Sequence, residues 1–202
     1  MTLDYAVSSS NAHVVNATMV GTELSLKFLK DTGSSTITLT DYTNNDKYGS
    51  YTTFAKEEYE ASLEFGADLI IIMLGTNDAT KIEDGEPKYD WDEVAPAYKR
   101  DYLELINTYK TVCPNADIVI MTSPAVRTPN PNLISNDILE DYTYPLQLQV
   151  AKEAGVKLVD LRAYLNTPEF ATRDIYSDNV HFNEDGAKIV AQFVAKFILE
   201  SV

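Results

Sequence analysis

An α/β fold with a parallel sheet flanked by helices follows from three features of the sequence. Short apolar runs alternate with longer segments of helical period, the pattern of consecutive βαβ units. The run Asp68–Leu74 (DLIIIML) is apolar at nearly every position, as expected of a strand buried on both faces of a parallel sheet. The 202 residues contain no repeat and no low-complexity linker, so the chain reads as one domain over residues 1–202, long enough to bury a sizeable core.

Leu3–Val7 reads as a short strand. Gly21–Lys30 carries Leu24, Phe28 and Leu29 at helical spacing, although LSLKF also alternates as a strand does; the expectation is a helix. Thr36–Thr40 (TITLT) is a second strand. Phe54–Phe65 is helical and stops at Gly66. Asp68–Leu74 is the third strand. Trp91–Thr111 is a long helix with Pro96 in its first turns, where a missing N–H costs little. Asp117–Met121 (DIVIM) is the fourth strand, closed by Ser123–Pro124. Ser135–Ala154 is mostly helical, with a break expected near Pro145. Val156–Leu161 is the fifth strand. Asn183 can cap the last helix, whose Ile189, Val190, Phe193, Val194, Phe197 and Ile198 form one stripe.

Composition narrows the function. A formal net charge of −15 repels nucleic acid and anionic membrane, and leaves neutral sugars and their esters open as partners. The single cysteine, Cys113, excludes an internal disulfide and any metal site built on several cysteines. The longest apolar run, Leu69–Leu74, is far too short to cross a bilayer, so membrane insertion is not expected. No basic segment followed by an apolar core opens the sequence, so no signal peptide is visible. A cytoplasmic location and secretion with the leader already removed both fit. No pattern in the sequence sets an oligomeric state.

Sites in open parallel sheets form outside the carboxyl ends of the strands. That rule directs attention to Ser8–His13, Tyr42–Tyr51, Gly75–Thr80, Thr122–Arg127 and Ser177–Asn183. The chain has two histidines, His13 and His181, so an imidazole base must be one of them. Asp178 stands three residues before His181, and a single turn can set its carboxylate against the ring, fixing the tautomer and stabilising an imidazolium. Gly75–Asp78 (GTND) follows the most apolar strand. Its glycine permits a sharp turn, and Asn77 then offers a side-chain amide to a developing oxyanion. Tyr42, Tyr48, Tyr51 and Tyr89 can stack on a sugar ring. Arg127 and Arg173 fall in strand-end loops and are read as solvated. Glu57–Glu58 and Asp84–Glu86 are read as solvated acidic faces.

IIIMLGTND, followed a hundred residues later by DNVHFNEDGAKIVAQF, resembles the SGNH hydrolases, also called GDSL-type esterases and lipases. The resemblance is good from about Tyr59 to the C-terminus and implies a flavodoxin-like three-layer α/β/α sandwich with a five-stranded parallel sheet. It also implies hydrolysis of acyl esters, often acetyl groups on carbohydrates, with no metal and no cofactor. By that resemblance Asn77 is an oxyanion-hole donor, with Gly75 shaping its turn. Asp178 and His181 are two members of a Ser-His-Asp triad, and Asn183 and Gly186 open the helix that follows.

Two blocks depart from the family pattern. The nucleophile block falls on Ser8, Ser9 and Ser10, making Ser10 the nucleophile with Ser9 where the family has Asp or Asn; a shift of one residue makes it Ser9. In the TNNDKYGSYT segment the backbone donor is Asn45 by position or Gly49 by residue type, with Asn45 favoured. The sequence therefore supports a serine esterase for a small-molecule or carbohydrate ester. A catalytically impaired relative with a carbohydrate-binding or scaffold role is the alternative. A flavin-binding domain of the same architecture leaves GTND and DNVH without a use.

Overall fold

Leu69–Ile72 forms a strand with every side chain buried, and its parallel neighbours explain the absence of alternation. In the computed structural model, which describes residues 15–20, 23–28, 56–82, 84–130 and 132–201, this strand pairs with a neighbour that pairs in turn with a third. The described elements are β1 (Val15–Val20), β2 (Glu23–Phe28), α1 (Lys56–Glu64), β3 (Leu69–Ile72), α2 (Trp91–Val112), β4 (Asp117–Met121), α3 (Tyr144–Ala154), β5 (Lys157–Val159), α4 (Leu161–Leu165), α5 (Pro168–Ala171) and α6 (Glu184–Ser201). The parallel sheet has the order β3-β4-β5, with Leu69 opposite Asp117 and Val119 opposite Lys157. The expected strands Leu3–Val7 and Thr36–Thr40 lie outside the described residues.

Successive side chains of a strand point to opposite faces, so the sheet divides its apolar residues between two helical layers. Ile70, Ile72, Ile118 and Ile120 pack with Tyr98, Tyr102 and Ile106 of α2 and Val150 of α3. Leu69, Ile71, Val119 and Met121 pack with Leu161, Leu165, Ile189, Val190 and Val194 on the other face. The stripe read along the last helix is the inner face of α6.

One segment differs from the sequence expectation. Gly21–Lys30 is not a helix: Glu23–Phe28 is a strand that pairs antiparallel with Val15–Val20, placing Leu24 opposite Met19 and Phe28 opposite Val15. The period-two alternation of Leu24, Leu26 and Phe28 prevails over the helical spacing, because a short isolated helix is costly to nucleate, whereas a paired strand bonds its alternate residues across to its neighbour. Around Pro145 the expected break takes the form of a change of helix type rather than a gap. A short helical turn at Asn136–Ile138 runs into a π-helical turn at Leu139–Thr143, and α3 begins with Pro145 in its first turn. The Tyr144 N–H bonds the Leu139 carbonyl five residues back, so the ladder is already shifted where proline withholds its N–H. Gly155 then ends α3 in the left-handed region at φ 62°, with its N–H shared by the Ala151 and Lys152 carbonyls.

The start of α6 is a close-packed joint. The Asn183 side chain accepts from the Gly186 N–H at 2.9 Å and donates to the Asp174 carbonyl at 3.0 Å. A Cβ at Gly186 would lie 2.2 Å from the Ile175 carbonyl oxygen, a backbone atom that cannot swing aside. Gly186→Ala is expected to destabilise the fold by about 1–3 kcal/mol in urea unfolding, despite alanine's better helix propensity. A variant as stable as wild type would show that the joint is looser than described.

Candidate active site

Two strand-end segments and the loop before α6 build the site. The first follows β3. Leu74 is buried, Gly75 adopts φ 122°, and Asn77–Ala79 forms a single 3-10 turn. The Thr80 hydroxyl donates to the Asn77 carbonyl at 2.6 Å, and the Ser135 N–H reaches the Ala79 carbonyl at 2.8 Å. Asn77 is thus carried on a short rigid turn at the carboxyl end of the sheet. Burial pushes the neighbouring Tyr102 phenol far above its ordinary pKa, and the Asp78 carboxylate acts in the same direction.

The second segment holds the carboxylate and the imidazole. Tyr176 pairs with Phe182 in an antiparallel bridge, and the Ser177 N–H donates to the His181 carbonyl at 2.8 Å, closing a tight loop. Inside it, one oxygen of Asp178 accepts the His181 N–H at 2.7 Å and the Val180 N–H at 3.1 Å. The other oxygen lies 2.7 Å from His181 Nδ1. The carboxylate thereby organises the loop backbone and orients the ring together. With Nδ1 held by the carboxylate, a proton exchanged by this ring passes through Nε2. Asn179 completes the turn at φ 70°, a region asparagine tolerates better than most residues. Burial works to raise the Asp178 pKa, but the hydrogen bonds from the His181 N–H, the His181 ring and the Val180 N–H outweigh it. The carboxyl titrates below its ordinary 3.8.

The third segment follows β4 and ties the other two together. Asn136 donates to the Val126 carbonyl and accepts from its N–H at 2.6 and 2.9 Å, as a neighbouring strand would. Arg127 N–H donates to the Asn179 carbonyl at 2.8 Å, and the Asn179 side chain donates to the Pro129 carbonyl at 2.7 Å. The Tyr176 hydroxyl donates to the Ala125 carbonyl at 2.6 Å; burial pushes its pKa up to about 12, with Arg127 and Arg162 opposing, so it stays a donor.

The structure therefore brings Asp178 and His181 together, sets Asn77 on its turn after Gly75, and places Asn183 at the start of α6. Ser8, Ser9, Ser10, His13, Asn45, Gly49, Tyr42, Tyr48 and Tyr51 lie outside the described residues. Arg127 is not simply solvated, since its guanidinium sits 5.4 Å from the Tyr176 ring centre. Tyr89 is half-buried against the core, whereas Arg173, Glu57, Glu58, Asp84 and Glu86 are exposed. Among the described residues no group of three His, Cys, Asp or Glu side chains converges as a metal site, and no helix is long and apolar enough to cross a membrane. Sequence reasoning missed Asn179, Asn136, Ser123 and Gln147. Two signals were present: asparagine's tolerance of positive φ, and a glutamine on the face of α3 that also carries Val150 and Ala151.

Fold and site together define a class: a parallel α/β protein with an asparagine turn after β3 and an aspartate-braced histidine in the loop before α6. The sequence profile of the GDSL-like Lipase/Acylhydrolase family matches residues 35–189, and the chain belongs to that family. The matched span contains Asn45, Gly49, Asn77, Asp178 and His181 and begins after the serine triplet. An acetylxylan esterase of Xylanibacter ruminicola is 28 % identical over 161 residues, covering 74 % of this chain and 32 % of its own length. The chain thus spans about a third of that relative. The fold is similar to a lipase/acylhydrolase from Enterococcus faecalis (TM-score 0.52, 14 % identity, 71 % of this chain and 67 % of the other). It is also similar to an acetyl xylan esterase (TM-score 0.51, 21 % identity, 70 % and 73 %).

The lowered Asp178 pKa fixes the sign of a pH effect. The unfolded carboxyl holds its proton more tightly, so stability from this group is complete above its ordinary 3.8 and is lost as pH falls through the folded value. The unfolding free-energy difference between wild type and Asp178→Asn is expected to contract steadily below about pH 4. A difference that stays constant through that range in urea titrations would contradict the assignment.

Proposed function

We propose that the protein is a serine esterase that removes short acyl groups, acetyl above all, from small-molecule or carbohydrate esters. The observation that carries this reading is the Asp178–His181 pair, with Nδ1 held 2.7 Å from the carboxylate and Asn77 on a turn at the same end of the sheet. Family membership supports ester hydrolysis, and the names of the acetylxylan esterases it resembles favour an acetylated polysaccharide. In this reading Leu3–Val7 and Thr36–Thr40 supply two further strands of a five-stranded sheet, within one domain.

His181 takes the proton from Ser10 as its oxygen attacks the ester carbonyl, and Asp178 stabilises the imidazolium. The oxyanion is met by the Ser10 N–H, the Asn45 N–H and the Asn77 side-chain amide. His181 returns the proton to the leaving alcohol. Water, activated by the same ring, then releases the acid. Ser9 and Gly49 are the alternates for the nucleophile and the backbone donor. A second reading, a catalytically impaired domain that binds carbohydrate or acts as a scaffold, is favoured by one observation: the family match begins after a serine triplet that lacks the usual Gly-Asp or Gly-Asn.

His181→Ala is expected to lower kcat on a short acyl ester by about 10³-fold or more, and Asn77→Ala by about 10²–10³-fold. Full activity in His181→Ala would overturn the mechanism. Labelling with a fluorophosphonate followed by peptide mass spectrometry identifies the nucleophile directly. A label on Ser10 supports the assignment, a label on Ser9 shifts it by one residue, and no label with no turnover favours the second reading.

A further inference from the structure

The mechanism asks Asn77 to hold its amide where an oxyanion develops, yet the turn that carries it follows a glycine at φ 122°. A glycine permits that conformation without enforcing it. Something else must fix the peptide that enters the turn, and the buried polar groups beneath it do so.

The Leu74 carbonyl, the acceptor of the Leu74–Gly75 peptide, receives two side-chain donors. Tyr98 of α2 donates its hydroxyl at 2.9 Å, and Gln147 of α3 donates its amide NH2. Two donors from different helices saturate the oxygen and set the plane of the peptide, and with it the starting direction of Gly75–Asn77. The same Gln147 nitrogen donates to the Ser123 hydroxyl at 2.9 Å, while its carbonyl oxygen accepts the Ser123 N–H at 3.1 Å. A reversed amide would set N–H against N–H at Ser123 and oxygen against oxygen at Leu74, so the orientation is unique. Gln147 and Ser123 have no solvent exposure, and Tyr98 has 6 %. The fit is tight: a Cβ on Gly75 would lie 2.6 Å from the Tyr98 hydroxyl and 2.9 Å from the Gln147 nitrogen.

We propose that Gln147, with Tyr98 as its co-donor, is a positioning residue for the oxyanion hole, setting the Leu74–Gly75 peptide so that Asn77 meets the developing charge. This rests on the reading of Asn77 as an oxyanion donor. Neither side chain touches substrate. The other tethers described, the Ala79 N–H on the Thr76 carbonyl, Thr80 on the Asn77 carbonyl and Ser135 on the Ala79 carbonyl, close the turn itself, whereas Tyr98 and Gln147 hold the Leu74–Gly75 peptide that enters it.

The test uses Gln147→Met and Tyr98→Phe, which keep shape and remove the donors, with Tyr109→Phe as control. Tyr109 is an equally buried residue of the same helix, and its hydroxyl bonds Ser62 at 2.7 Å, about three turns of helix away from Tyr98. With a short acyl ester, Gln147→Met is expected to lower kcat about 10- to 100-fold with KM within about twofold, Tyr98→Phe about 10-fold, and Tyr109→Phe not at all. If Gln147→Met does not fold, Tyr98→Phe against Tyr109→Phe decides. A second readout is independent of turnover: the 1H–15N resonances of the Asn77 side-chain amide shift in Gln147→Met and Tyr98→Phe and stay in place in Tyr109→Phe. Active wild type with unchanged kcat in both donor variants overturns the proposal. Wild type inactive on every ester overturns the proposed function, and the Asn77 resonances alone then show whether Gln147 governs the turn.

Discussion

The Leu74 carbonyl is a strong acceptor in a place water does not reach. It stands two residues past the end of β3, and Leu74 is 3 % exposed. A carbonyl in that position is costly unless it is hydrogen-bonded. The protein meets the requirement with Tyr98 and Gln147, and through Gln147 it also meets that of Ser123 at the end of β4. One constraint, the satisfaction of buried backbone at two adjacent strand ends, thereby joins α2, α3, β3 and β4 at the point where the Asn77 turn begins.

The neighbouring strand end is handled in the same way with more charge. Asp160 after β5 accepts from the Thr122 hydroxyl at 3.1 Å, the Tyr144 hydroxyl at 2.9 Å and the Ala163 N–H at 3.0 Å. Arg162, only 5 % exposed, donates to Glu140 through Nε and Nη2 at 2.9 and 2.7 Å, and its guanidinium lies 5.6 Å from the Tyr144 ring centre. The cation is buried while its Glu140 partner is 60 % exposed, so the pair is partly screened by solvent. Glu140 belongs to the π-helical turn, and so does the carbonyl that receives the Tyr144 N–H. The turn that accommodates Pro145 therefore also anchors β5.

The Asp178–His181 loop is a second self-contained solution, joined to the first through the segment after β4. Ser123 at its start bonds Gln147, and Arg127 and Pro129 further along bond Asn179. A shift of that segment would move the asparagine turn and the dyad together. Geometry sensitive to about an ångström, as acyl transfer is, benefits from such a common support.

The sequence by itself determined whatever depends on local pattern and short spacing. Runs such as LIIIML and DIVIM announce buried parallel strands, because both faces must be apolar. The stripe on α6 and its Asn183 cap follow from helical period and side-chain chemistry. Asp178 and His181 are three residues apart, so one turn suffices to join them, and that spacing combined with GTND after a buried strand marks the pair. In Glu23–Phe28 two periods competed on the same residues, and the antiparallel partner Val15–Val20 decided the outcome in favour of the strand. Only the tertiary structure could disclose the partners of the Leu74 carbonyl: Tyr98 is 24 residues away and Gln147 is 73, on different helices. No local rule links them. They meet because the sheet brings the ends of β3 and β4 side by side, and buried backbone there must find donors wherever the fold can supply them.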